Sequence, residues 1–329
     1  MHEDRSPLGD PEGDLRSPAQ KDPDLRNRLR PGIFPIDHQA LHQDRFRTAA
    51  ARPHCSLELR PRVRRISDWQ RLAVASAATT SYDEILIMDA ATRIKTKMPS
   101  PYKLTGIEAD THDTKTFRFE LPADATLDML PGDFLYVHAT IDGKAVKRAY
   151  TPSSLPGATG SFDLTVKRYD TGIVSKYLHD QRIGDTVLMS GPNQGGHWVD
   201  GMAKQVGFVA GGTGITPMIS IIRWILMKRI DAELFLLFAN KTEADIILRE
   251  EWNRTAREHP NFHCHHVLEQ PPPGWPEGIG RVTVDVLRRH LPPPDPSTCI
   301  FLCGPPPMVD TLESTLRELG YPEHAIILP

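Results

Sequence analysis

The sequence predicts an antiparallel β-barrel followed by a doubly wound, parallel-sheet α/β domain, and three observations predict it. From Tyr102 to Pro192, short apolar-alternating runs recur between Gly, Pro and Asp turns, as in small antiparallel barrels. From Val206 onward, strand-like and helix-like runs alternate, which calls for a parallel sheet covered on both faces. At 329 residues, the chain is long enough for two cores. The expected division is an extension over residues 1–98, a barrel over 99–200 and an α/β domain over 201–329.

The barrel strands are YKLTGIEAD from Tyr102, TKTFRFELP from Thr114, DFLYVHATI from Asp133, KAVKRAYTP from Lys144, SFDLTVKRY from Ser161 and DTVLMSGP from Asp185. They are short and bounded by turn residues, as strands of such a barrel should be. One helix, GIVSKYLHDQ from Gly172, interrupts them. The strands of the second domain are VGFVAGG from Val206, AELFLLFAN from Ala232, NFHCHHVLE from Asn261 and TCIFLCG from Thr298. Its helices are TPMISIIRWILMKR from Thr216, ILREEWNRTAREH from Ile247, VTVDVLRRHL from Val282 and MVDTLESTLRELG from Met308. The last carries Arg317 in its final turn and Gly320 just beyond, where helix C-termini prefer them.

Residues 1–98 differ in texture. They begin rich in Pro, Arg and Asp with few large apolar residues, a composition that cannot offset its ordering cost. That extension is expected to be largely disordered or partly helical, the helices within SDWQRLAVASAATTSYDEILIM. The basic cluster RPRVRRISDW reads as a solvated face. The net charge is −3, with a slight basic excess in the first hundred residues and an acidic remainder. That split is too mild for a nucleic-acid partner. The cysteines, Cys55, Cys264, Cys299 and Cys303, match neither a disulfide framework nor a zinc or iron–sulfur ligand set. No signal or myristoylation pattern opens the sequence. The longest uncharged run, Gln205 to Ile222, is broken by five Gly or Pro residues and reads as strand, loop and helix. A reduced, cytoplasmic chain without a membrane span is expected.

Three motifs carry chemistry. Gly211-Gly212-Thr213-Gly214-Ile215-Thr216-Pro217 follows a strand and opens a helix. Backbone N–H groups can approach a pyrophosphate there, although G-x-G-x-x-P departs from the dinucleotide fingerprint and a tight structural turn is the other reading. Lys147 to Ser154, KRAYTPSS, offers a guanidinium for phosphate, a ring for stacking and hydroxyls. Gly172-Ile173-Val174-Ser175 opens a helix with a second anion-accepting end. Two phosphate-type sites call for two nucleotides, or for a dinucleotide and a flavin. Cys303-Gly304-Pro305-Pro306-Pro307-Met308 ends a buried strand with a stiff turn, tolerable because the first N–H groups of a helix lack partners anyway.

Arg-x-Tyr-Thr-x-x-Ser, Gly-x-Val-Ser, Gly-Gly-Thr-Gly-Ile-Thr-Pro and Cys-Gly-Pro-Pro-Pro-Met occur in this order, which resembles the layout of the ferredoxin–NADP reductase superfamily. HDTKTFRFELP, IDGKAVKRAYTPSS, LFANKTEADIILR and RRHLPPP are most similar to NADH–cytochrome b5 reductases. The resemblance covers roughly residues 100–329. It implies a Greek-key flavin-binding barrel with FAD, and a nucleotide domain for NADH. By the resemblance, Arg148 pairs with the FAD pyrophosphate, Tyr150 lies against the isoalloxazine and Thr151 bonds near its N5. Ser154 completes that motif. Val166, Lys167 and Tyr169 line the flavin; Gly172, Ile173, Val174 and Ser175 meet its phosphates. Gly211, Gly212, Thr213, Gly214, Thr216 and Pro217 receive the pyridine nucleotide. Cys303, Gly304, Pro305, Pro306 and Met308 flank the nicotinamide, and Thr151 and Cys303 border the hydride path. The flavin carries the redox chemistry and the protein aligns the reactants. A nearby helix N-terminus is a reason to expect a lowered Cys303 thiol pKa; a small buried hydrophobe is the alternative.

Glu269 ends the third strand of the sheet, where an acid accepts from both ribose hydroxyls and repels a 2′-phosphate. NADH is therefore expected over NADPH. A solvated carboxylate is the other reading of Glu269, and Lys241 is a counter-signal. His263, Cys264, His265 and His266 alternate across a strand and read as surface residues with no metal. Relative to the resembling family, the RYDTG loop is short, no membrane anchor is visible, and HAIILP ends without an aromatic to cap the flavin. The implied acceptor is a separate cytochrome, ferredoxin-like protein or oxygenase component, since His-Pro-Gly-Gly and four-cysteine patterns are lacking. The alternatives are a reductase of quinones or ferric chelates, and a non-catalytic flavin- or NADH-binding subunit or redox sensor.

Overall fold

Alternating burial builds the first sheet. In a computed structural model, residues 92–329 are described; the expectations for residues 1–91 lie outside them. β1 (Thr92–Ile94) pairs in parallel with β4 (Ala125–Leu127). β2 (Thr96–Ala109), β3 (Thr114–Glu120), β5 (Phe134–Ile141), β6 (Lys144–Tyr150), β7 (Ser161–Lys167) and β8 (Thr186–Asn193) form one antiparallel sheet in the order β6-β5-β8-β2-β3-β7. β8 lies between β5 and β2, away from its neighbour in sequence. The β5–β6 hairpin turns at Asp142-Gly143, both at positive φ, the conformation such a two-residue turn requires. Helix α1 (Ile173–His179) packs against β5, β6 and β7. It thereby bridges the two edge strands of the sheet. Inside lie Leu104, Phe117, Phe119, Leu135, Phe162 and Leu164, all buried.

The second sheet is parallel, β12-β11-β10-β9-β13-β14. Its strands are β9 (Gln205–Gly211), β10 (Glu233–Asn240), β11 (Phe262–Leu268), β12 (Gly278–Ile279), β13 (Thr298–Cys303) and β14 (Ile326–Ile327). Helices α2 (Thr216–Met227), α3 (Arg249–Glu258), α4 (Val284–His290) and α5 (Pro306–Glu318) connect them. One face buries Phe208, Phe301, Met218 and Ile222; the other buries Val209, Leu237, Ile300 and Leu316. The chain winds outward from β9 to β12, then returns to β13 on the other side of β9. The strand order therefore reverses between β9 and β13, the crevice where open α/β sheets bind ligands.

The boundaries depart from expectation for local reasons. β2 begins at Thr96 and β1 precedes it, so sheet structure starts before residue 99. β1, β4, β12 and β14 have two or three residues, too few to show a period. α5 starts at Pro306, two residues early, with Pro305 as its N-cap. α3 starts at Arg249 because Leu248 adopts a left-handed conformation, φ 56°. The Leu248 N–H donates to the Asp110 carboxylate at 3.0 Å, tying that kink to the end of the β2–β3 hairpin. Other bonds join sheet to barrel: Arg223 Nη1 donates to Ser153 O at 2.6 Å, its other nitrogens hold Glu251, and Gly132 N–H donates to Ser220 Oγ at 3.2 Å. Among the described residues, no helix is long and apolar enough to cross a membrane.

Candidate active site

A cavity of about 1250 Å³ lies between barrel and sheet, at the β9/β13 crevice. On the barrel side, β6 ends by presenting Arg148 and Tyr150, followed by Thr151. Arg148 is exposed and bonds only to Lys147 O among the described residues, leaving guanidinium donors free. Burial pushes the Tyr150 phenol up to about 12, against the opposing pull of Arg148, so it stays protonated at neutral pH. β7 adds Val166 and Lys167, and Tyr169 follows. Gly172 to Ser175 complete this wall. Gly172 has no room for a Cβ, which would overlap Ser175 Oγ; that hydroxyl accepts from Tyr169 N–H at 3.3 Å.

Two of these residues do more than line the wall. Lys167 Nζ sits 2.9 Å from both Asp113 and Asp245, joining barrel and sheet. Burial alone would raise both carboxyls, but hydrogen bonds from Lys167, with Thr111 on Asp113 and Thr242 on Asp245, hold each below the usual 3.8. His112 also approaches this pair, yet the ammonium fills the space a metal ion would need. Tyr169 OH lies 2.5 Å from Thr213 Oγ1, crossing the cavity.

The sheet wall is made of turns. Gly212 to Ile215 form a 3₁₀ turn, with Gly212 at φ 53°, and Thr216 Oγ1 donates to Thr213 O at 3.0 Å. A Cβ on Gly214 would overlap the Cys303 carbonyl, and one on Gly211 would stand 2.5 Å from Met308 Sδ. Gly214 thus lies backbone against backbone on Cys303 and Gly304, while Gly211 packs against the Met308 and Pro305 side chains. Burial raises the Cys303 thiol to about 11, outweighing the Gly304 N–H that would lower it. Of the two readings of Cys303, this direction favours the small buried hydrophobe.

Of the predicted residues, Ser154 stands apart: it is outside this cavity, and its hydroxyl accepts from Asp163 N–H at 3.1 Å. The others, through Pro217, Glu269 and Pro306, line it. Several lining residues escaped the sequence reading. Asn240 ends β10 buried, both amide atoms unpartnered among the described residues; a polar residue closing the apolar run LFAN was its signal. Phe134, Asp245 and Arg281 also line the cavity. Pro329 does too, packed on Gly196, although nothing from that end of the sequence was expected to cap it. The histidines divide differently from expectation. His266 is buried beside Trp275, and His265 stacks on His290 with ring centroids 3.6 Å apart. His263 is exposed as expected, while His265 and His266 are covered by neighbouring helix and loop and are not surface residues.

The free guanidinium, the glycine cradle and the unpaired Asn240 amide fit two nucleotide cofactors facing each other across one cavity. Fold and site together define a two-domain flavin- and pyridine-nucleotide-dependent reductase. Residues 101–198 match the oxidoreductase FAD-binding domain and residues 208–314 the oxidoreductase NAD-binding domain. NADH-cytochrome b5 reductase 1 of Aspergillus terreus is 42% identical over 219 residues, covering 64% of this chain and 74% of the relative. NADH-cytochrome b5 reductase 2 of Xenopus laevis is 40% identical over 252 residues, covering 68% and 85%. The solved cytochrome b5 reductase domain of Ulva prolifera nitrate reductase superposes with a TM-score of 0.68 at 32% identity, covering 73% of this chain and all of that one. The chain belongs to the NADH-cytochrome b5 reductase family. It is an FAD-dependent oxidoreductase that takes hydride from NADH and passes electrons to a separate acceptor.

Proposed function

We propose that the acceptor is a haem protein of the cytochrome b5 type, reached from a flavin held on the barrel wall. The observation carrying this reading is the convergence of free Arg148 with two interlocked backbone turns on one cavity. The shared name of the fungal and Xenopus relatives supports the acceptor class. Bound FAD supplies the exchange of one hydride for two single electrons. In this reading, Arg148 grips the flavin pyrophosphate with charge-assisted hydrogen bonds. Tyr150 packs its neutral ring on the flavin, and Thr151 offers its hydroxyl to the reacting edge. The glycine turn takes the dinucleotide phosphates on backbone N–H groups. Cys303 fills space beside the nicotinamide as an uncharged thiol. The stiffness of the two turns, which cannot part without losing their contact, fixes the donor's position, the main contribution asked of the protein. Cys264, Cys299 and Cys303 are free thiols, which suits a reducing, cytoplasmic compartment.

An anaerobic visible spectrum tests this. The flavin bands should bleach with NADH and return when oxidised cytochrome b5 is added, with matching haem reduction. Bleaching reversed only by quinone or ferric chelate would make the protein a small-molecule reductase. A bound flavin that never bleaches would make it a sensor.

A further inference from the structure

Three charged residues line the cavity just past the ends of β10, β11 and β12: Lys241, Glu269 and Arg281. Backbone bonds hold these strand ends in register. Glu269 N–H donates to Asn240 O at 3.1 Å, Gln270 N–H to Lys241 O at 2.8 Å, and Gly280 N–H to Leu268 O at 2.8 Å. Arg281 Nε lies 3.7 Å from Glu269 Oε1, with the two side chains 88% and 52% exposed. A solvated pair at that distance is weak, so each partner is easily exchanged. An acid standing alone here would accept from the ribose hydroxyls and repel a 2′-phosphate. Glu269 is bracketed by two cations, and the trio is net positive. A phosphate dianion is a better partner for the guanidinium fork than one carboxylate oxygen.

We propose that Arg281 and Lys241 form a 2′-phosphate site beside Glu269, so that NADPH serves as a second hydride donor. The proposal rests on the dinucleotide lying along the sheet wall, as proposed above. Arg281 exchanges the carboxylate for the phosphate, and the half-exposed Glu269 turns to solvent. NADPH gives up one hydride and leaves as NADP+; its two electrons follow the same route to the acceptor as those of NADH. NADH remains the better donor because Glu269 still repels the added charge.

The test compares kcat/KM for the two donors in the wild type and in Arg281→Ala, Lys241→Ala and Glu269→Gln, at low and high salt. Binding of 2′,5′-ADP and 5′-AMP by calorimetry gives a readout free of turnover. The NADPH/NADH ratio should fall roughly three- to tenfold in Arg281→Ala and less in Lys241→Ala. It should rise roughly tenfold in Glu269→Gln. In the wild type the ratio should fall as salt rises, because the site is exposed. 2′,5′-ADP should bind to the wild type, and Arg281→Ala should weaken it while leaving 5′-AMP binding unchanged. Equal loss for both donors in Arg281→Ala would assign it to the adenine face and overturn the proposal. So would a ratio indifferent to salt and to both alanine variants. Reduction by NADH with none by NADPH overturns this inference alone; reduction by neither overturns the donor site as well.

Discussion

The barrel wall and the sheet wall of the cavity are built from different materials. The barrel wall presents side chains: Arg148, Tyr150, Thr151, Lys167 and Tyr169 project from strand ends. The sheet wall presents turns, where the Gly214 backbone lies against the Cys303 carbonyl with no room for another carbon and Gly211 packs under the Met308 side chain. The first wall should therefore fail when atoms are removed, and the second when atoms are added.

Gly214→Ala should give the largest effect. Its Cβ would overlap a backbone carbonyl, so β9 and β13 must separate at the crevice. Overpacking against backbone should destabilise the sheet domain by about 3 kcal/mol or more. A urea melt would measure this. Reduction by NADH should be lost while the folded barrel keeps its flavin. A variant reduced at the wild-type rate would break the contrast between the walls.

On the barrel wall, Arg148→Ala removes the one guanidinium with donors to spare among the described residues there. A charge-assisted hydrogen bond contributes about 1.5–3 kcal/mol, so FAD affinity should fall roughly 10- to 100-fold. Stability without FAD should hardly change, since Arg148 bonds only to Lys147 O among the described residues. Flavin titration and a melt of the apoprotein separate these outcomes. Arg148→Lys should recover part of the affinity by charge alone.

The same contrast explains what the sequence disclosed. Gly211 to Pro217 and Cys303 to Met308 are legible because turns without side chains need Gly and Pro at fixed places. KRAYTPSS is legible because a strand end can be read locally. Ser154 shows the limit: its residue type suits a ligand, yet it lies outside the cavity and its hydroxyl accepts from Asp163 N–H. Arg281 and Asp245 reach the cavity through strand order and loop path, which residue periodicity does not encode. Asn240 becomes notable only once both its amide atoms are buried without partners. Leu248 looked like a helix residue until Asp110, 138 positions away, drew its N–H.

Lys167→Met sharpens the comparison where the walls join. Its loss leaves Asp113 and Asp245 facing each other without their cation. A partly buried bridge of this kind should contribute on the order of 1–2 kcal/mol. The two carboxyls are held below 3.8 in the folded protein, so their contribution is present above that pH and is lost as pH falls through the lowered values. Lys167 is raised above 10.5 because its carboxylate bonds outweigh burial. Its contribution is complete below 10.5 and is lost as pH rises through the higher folded value. The stability gap between wild type and Lys167→Met should thus be widest at neutral pH and close at both extremes. Denaturant midpoints measured across pH would show it, and a gap independent of pH would remove the bridge from the interface.

Cys303→Ala should give the smallest effect, although Cys303 sits at the centre of the sheet wall. What interlocks with Gly214 is the Cys303 carbonyl, which alanine retains. The lost sulfur leaves a small gap beside the donor, and turnover with NADH should drop by no more than about tenfold. Because burial raises the thiol to about 11, it does not ionise where an ordinary cysteine would. Wild-type turnover should therefore show no inflection between about pH 7 and about pH 9 that the alanine variant lacks. Alkylation of Cys303 at about pH 8 should likewise be slow. A wild-type inflection near pH 8.5 that vanished in Cys303→Ala would mean a thiolate acts in turnover, and the sheet wall would then work through a side chain after all.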